Sequence, residues 1–180
     1  MDFTLEKGED SGIFLVLSEP LDIKKKNIDI IREMTENGFH NMIFTTNTPY
    51  TILRKDYEKQ GIDLSKLHFI DAITKYAIGK ETPGAVNCRF INNPSNLTEM
   101  GIAVTETLKK IDETKVCVLL DSVNSMLIYI SSAQLIKFIH FIISKLRILE
   151  ISGVFLAVEK GLDPTTLTQL ESFVDEIIEE

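Results

Sequence analysis

Val116-Cys117-Val118-Leu119-Leu120 is an unbroken apolar run that stops at Asp121-Ser122. A strand with one wet face alternates polar and apolar residues. An unbroken run instead suits a strand covered on both faces, the central position of a parallel sheet. Such a strand needs helices above and below it, and the rest of the chain reads as their supply. Ile13-Phe14-Leu15-Val16-Leu17, entered through Gly12, is a buried strand. A helix over 23–37 follows, with Ile28, Ile31 and Met34 on one face and Gly38 as its stop. Met42-Ile43-Phe44-Thr45 is a second strand. Thr48-Pro49 opens a helix whose Tyr50, Leu53 and Tyr57 share a face and which ends at Gly61. Leu67-His68-Phe69-Ile70-Asp71 is a third strand, followed by a long polar connection over 74–94 marked by Gly79, Pro83, Gly84 and Asn92-Asn93-Pro94. Asn96 with Glu99 resembles a capping box for a helix running to Ile111. Beyond the central run come a helix over 132–150, a fifth strand over 153–158, a short helix capped by Asp163-Pro164, and a closing strand over 173–178. This alternation predicts an α/β three-layer sandwich with a mostly parallel central sheet and right-handed crossovers, in one domain over residues 1–180.

Ligands of such sheets bind beyond the carboxyl ends of the strands. That edge holds Ser18, Glu19, Thr46, Asn47, Asp71, Asp121, Ser122, Glu159 and Lys160. The first strand leads into Ser18-Glu19-Pro20-Leu21-Asp22-Ile23-Lys24-Lys25, which has the outline of a phosphate-binding loop, G-x-x-x-x-G-K-[ST]. Lys24 falls on the lysine. Ser18 and Ile23 replace the two glycines, and Lys25 replaces the hydroxyl residue that would hold magnesium.

Taken together these segments resemble the RecA-like ATPase fold, and most closely its KaiC branch, over nearly the whole chain. Residues 12–19 resemble the family's first strand and KLHFIDAIT its third. VCVLLDS resembles the Walker B strand with its terminal Asp-Ser, and FVDEII the late Asp-containing strand. The resemblance implies a P-loop NTPase core in which the first strand lies beside the fifth, with the Walker B strand beyond. Composition is ordinary for a folded protein, and the many Ile, Lys and Glu residues fit a heat-adapted or AT-rich source, with an archaeal one expected.

The departures from the family bear on function. Glycines let backbone N–H groups curl around phosphate. Ile23 is β-branched where the backbone must approach the ligand, and Leu21 is bulky where KaiC-like proteins commonly have another glycine. The water-activating carboxylate expected after the second strand is missing from Thr45-Thr46-Asn47-Thr48. Positioning and electrostatics supply nearly all of phosphoryl-transfer catalysis, so ATP hydrolysis is not expected, no catalytic residue is assigned, and ATP with magnesium is disfavoured as a cofactor. Lys24, Asp121 and Ser122 are the candidates for residual nucleotide contact, Asp121 through a magnesium-bound water. The plainer readings are preferred: a solvated lysine at a helix start, and an Asp-Ser turn that satisfies the local backbone.

A net charge of −8 repels a phosphate backbone, and Lys24, Lys25 and Lys26 form the only tight basic run, so nucleic acid is not the expected partner. His40, His68 and His140 lie in no metal-ligand spacing, no nucleophile motif is present, and Cys117 reads as a small buried hydrophobe while Cys88 lies in a polar stretch. Residues 1–6 lack the basic start and apolar core of a signal peptide. The apolar helix over 135–149 is broken by Lys137, His140, Lys145 and Arg147. No membrane association and a cytoplasmic location are expected.

What the chain has in surplus is apolar. Met126, Leu127, Ile128, Tyr129 and Ile130 follow Asp121-Ser122, and the next helix is apolar around most of its circumference. The leading expectation is therefore a non-hydrolytic domain that works through contacts with a protein partner or a second copy, as a scaffold or in signal transduction, with residues 126–130 as the trial interface. A weakly nucleotide-binding regulator retaining Lys24 and Asp121 is the alternative. A third reading is an enzyme on another small ligand with the 74–94 connection as a lid.

Overall fold

The computed structural model describes residues 11–179, so the signal-peptide reading of residues 1–6 lies outside the described residues. Among the described residues there are seven strands, most of them built on the apolar runs: β1 (Ile13–Ser18), β2 (His40–Thr45), β3 (Leu67–Asp71), β4 (Cys88–Phe90), β5 (Val116–Asp121), β6 (Ser152–Val158) and β7 (Glu176–Glu179). Between them lie α1 (Ile23–Glu36), α2 (Tyr50–Lys59), α3 (Thr74–Ile78), α4 (Leu97–Lys110), α5 (Val123–Met126), α6 (Ser132–Ile148) and α7 (Pro164–Glu171). All strand pairs are parallel, in the order β4-β3-β2-β5-β6-β1-β7. The first strand thus lies beside β6 with β5 beyond, as the family resemblance implies.

Side-chain alternation on the strands divides the core in two. Ile13, Leu15, Val118 and Leu120 pack with α4 and α6, whereas Phe14, Val16, Cys117 and Leu119 pack with α1 and α2. β5 is buried at every position, which is why its sequence has no polar alternation.

Four local expectations need correction. The 74–94 connection is not one loop: α3 ends at Gly79, which adopts a left-handed φ of +74° that favours glycine, and β4 then adds an edge strand to β3. Thr48 does not cap α2. Pro49 occupies the cap position, and the Asp71 carboxylate at the end of β3 accepts from the Tyr50 N–H at 2.9 Å instead. The closing strand begins at Glu176 rather than Phe173, because Phe173 and Val174 turn back to pack against the core. Asn96 does accept from the Glu99 N–H, but the Glu99 carboxylate returns to Asn92 rather than to the cap backbone.

Candidate functional site

At the carboxyl edge, β1 ends at Ser18 and α1 begins at Ile23. The four residues between close on themselves, with the Asp22 N–H donating to the Glu19 carbonyl at 3.1 Å. Pro20 has no N–H to offer, and Leu21 projects into solvent at 96% exposure. Lys24, on the first turn of α1, lies at the positive end of the helix dipole, an unfavourable place for a cation. Its Nζ sits 2.9 Å from the Asp56 carboxylate on α2. The structure therefore does not bring Lys24 to Asp121.

Asn27 takes that place. It lies one turn further along α1, on the buried stripe it shares with Ile30, Ile31 and Met34. Ile28, expected on that stripe, is only half-buried. The Asn27 Nδ2 donates to Asp121 Oδ2 at 2.7 Å, and its Oδ1 accepts from the Tyr57 hydroxyl at 2.5 Å. From the other side the Asn47 Nδ2 lies 3.5 Å from Asp121 Oδ1. Asn47 stands where a water-activating carboxylate was sought, and it offers an amide to Asp121. Burial raises the Asp121 carboxyl to about 6, against the lowering effect of its two amide donors. Burial, and after it the nearby Asp121 charge, push the Tyr57 hydroxyl well above its ordinary value.

Below this network Thr46 Oγ1 and Ser125 Oγ share a hydrogen bond at 2.7 Å, and Thr46 also donates to the Ser122 carbonyl at 3.2 Å. Ser122 follows Asp121 through a cis peptide bond, and it caps α5 in a reciprocal pair with Ser125. Its hydroxyl is thus engaged locally. Asp71 accepts from the Ile73 and Thr74 N–H groups and the Thr74 hydroxyl as well as from Tyr50. Asp175 accepts from the Ile13 N–H at 2.8 Å and from Arg147. Beside the loop, a cleft of about 280 Å³ is lined by Leu17, Ser18, Glu19, Glu159, Lys160 and Glu179. Its one lysine is held by Glu19 at 2.7 Å, and that pairing raises the Lys160 ammonium above its usual value.

The trial interface divides. Met126 and Ile130 belong to the core, Leu127 and Tyr129 are half-buried against it, and Ile128 alone of the five stands out, 74% exposed. Met126 and Ile130 are therefore packing residues of this chain. His140 is exposed, beside the Phe173 ring. Cys117 is buried in β5, and Cys88 lies half-buried on β4 rather than in a loop. Among the described residues no group of three His, Cys, Asp or Glu could hold a metal ion, and no helix is long and apolar enough to cross a membrane.

Sequence reasoning missed Asn27 and Tyr57 as partners of Asp121. The available signal was Asn27 itself, a polar residue at the spacing of an apolar stripe.

The family of unknown function DUF7504 matches residues 32–180. The chain belongs to DUF7504. The match takes in Asn47, Tyr57 and Asp121 but begins within α1, after the loop, Lys24 and Asn27. No curated protein matches this DUF7504 chain. Among solved structures, an uncharacterized protein from Pyrococcus horikoshii, in complex with an unknown peptide, superposes with a TM-score of 0.69 at 12% identity, covering 93% of this chain and 76% of that one. A KaiC-like protein from Pyrococcus horikoshii superposes with a TM-score of 0.67 at 13% identity, covering 95% of this chain and 72% of that one. At these identities the likeness is one of fold: a KaiC-like, RecA-like α/β core.

Proposed function

We propose that this chain is one non-hydrolytic RecA/KaiC-like domain, residues 1–180, that works through contacts with protein rather than through nucleotide chemistry. The observation that carries the reading is the Asn27–Asp121 hydrogen bond. Where a metal-bound polyphosphate would need a lysine and an open carboxylate, neutral amides already engage the acid. Lys24 is drawn off to Asp56, and the neighbouring cleft is lined by Glu19, Glu159 and Glu179. These residues do not fit a magnesium nucleotide: three carboxylates repel phosphate, and the loop between them lacks the glycines that let N–H groups converge. That a neighbour of this fold has been solved with a peptide bound supports protein contact as a use for such a core. A cytoplasmic scaffold or signalling partner is the form this takes.

One observation favours the second reading, a weakly binding nucleotide regulator. Lys24, Lys25 and Lys26 all lie in the first turns of α1, where the helix end adds positive potential. Calorimetric titration with Mg-ATP, ADP and GTP separates the two. No heat at millimolar nucleotide is expected. Micromolar binding that disappears in Lys24→Ala would overturn the non-nucleotide reading.

A further inference from the structure

β7 ends the sheet and pairs on one side only, with β1. A strand turns alternate N–H and C=O groups to opposite sides, so those of β7 that point away from β1 form an open row along the sheet edge. Among the described residues no strand pairs with that row. Glu176, Ile177 and Glu179 are exposed, and Ile178 is half-buried against the α1 side of the core. The opposite edge is blunter. β4 has three residues, is entered through Asn87 at a left-handed φ of +49°, and has its Arg89 held by Glu106.

Charge around the β7 edge has one sign. Glu176 and Glu179 stand at the two ends of the strand, and Glu179 also lines the cleft beside the β1–α1 loop with Glu19 and Glu159. Lys160 in that cleft is held by Glu19, whereas neither Glu159 nor Glu179 is hydrogen-bonded to another described side chain. Acids on an edge deter pairing with a second copy of it, since like charges would meet along the new ladder. Residues 1–10 carry Asp2, Glu6, Glu9 and Asp10 against Lys7 alone, and meet the same repulsion. A basic chain instead meets attraction at the same glutamates, and the net charge of −8 favours its approach from a distance. An extended chain is the shape that answers an open row of backbone groups.

We propose that the β7 edge receives an extended basic segment of a partner protein as a further strand, with a lysine or arginine of that segment in the cleft beside Glu159 and Glu179. The backbone row supplies affinity whatever the sequence, and the carboxylates select the charge. This gives the chemistry of the partner for the protein-contact reading and rests on it. The two fail separately: nucleotide binding lost in Lys24→Ala overturns that reading, whereas peptide binding is measured with no nucleotide present.

The probe is a short fluorescein-labelled peptide of alternating lysine and valine, followed by polarisation on the full chain at physiological salt. A peptide of alternating lysine and proline carries the same charge but lacks every second N–H, and one of alternating glutamate and valine carries the opposite charge. Only the lysine–valine peptide should bind, and exchange of the 176–179 amides, followed by mass spectrometry, should slow in its presence. Glu159→Gln combined with Glu179→Gln should weaken binding about five-fold and leave the urea midpoint unchanged. No binding of the lysine–valine peptide overturns the proposal. Equal binding of the lysine–proline peptide overturns strand addition, leaving charge attraction alone. Binding that leaves the 176–179 amides unprotected, or that ignores the double variant, overturns the placement. Full protection of those amides before any peptide is added would show the edge already paired within this chain, and overturns the assignment to a partner.

Discussion

Asp121 carries the chemistry of the candidate site, and its environment fixes a sign. Folding buries the carboxyl and raises it from an ordinary 3.8 to about 6. Protonation is therefore favoured in the folded state. Below the unfolded value the group is neutral in both states and takes nothing from stability. As pH climbs through about 6 the folded protein must hold a buried anion, and a contribution on the order of 3 kcal/mol is lost. Asp121→Asn removes the ionisation while keeping an oxygen for the Asn27 amide, and Asn47 can turn its own amide to match. The variant should be more stable than wild type at pH 7, with the gap closing toward pH 4, as read from urea unfolding at both values. A variant clearly less stable at pH 7 would mean that the amides are arranged for the anion, and that the site retains a use for negative charge. Lys24→Ala should cost about 1–2 kcal/mol in urea unfolding, because the lysine is mostly exposed but its partner Asp56 is only 16% exposed and would be left without a cation.

At the scale of elements, Asp71 joins three of them. One buried carboxylate at the end of β3 caps α2 through Tyr50 and starts α3 through Ile73 and Thr74. Asp71→Asn turns one oxygen into a donor and leaves at least one of those N–H groups facing it. A loss of about 1–3 kcal/mol in urea unfolding is expected, larger than for any exposed acid. An effect within a few tenths would show that α2 holds its start without the cap. This link also shows where sequence reading stops. Asp71 was legible as a strand-end turn residue, since such residues bond their own backbone a few positions on. Its hold on Tyr50, 21 residues earlier, was not. The same holds for Asn27 and Asp121, 94 residues apart and joined only because α1 packs over the carboxyl edge of β5. Strands with continuous apolar runs, β1 and β5 above all, were legible because burial on both faces leaves no polar position. β4 was not, since three residues at a sheet edge are held by backbone pairing to β3 rather than by an apolar pattern. In residues 126–130 composition showed apolar residues, but only packing separates the buried Met126 and Ile130 from the exposed Ile128.

For the whole molecule, the sheet order places β1 and β5 on either side of β6, with both carboxyl ends at one edge. That edge is where a fold of this kind presents its ligand site, and here its cleft carries three glutamates. The net charge of −8 acts in the same direction at longer range. The cations that could oppose it are dispersed, and those nearest the carboxyl edge are held by acids: Lys24 by Asp56 and Lys160 by Glu19. The rest are spread over several elements, with Lys24, Lys25 and Lys26 the one tight run, so no patch gathers enough of them to neutralise the run of phosphates on which nucleic-acid affinity depends. Fluorescence polarisation with labelled single- and double-stranded DNA should therefore show no binding at physiological salt. Weak binding at low salt that vanishes as salt rises would fit two or three lysines meeting phosphates without a built site. Binding that persists at physiological salt and is lost in Lys145→Glu would instead make α6 a nucleic-acid surface.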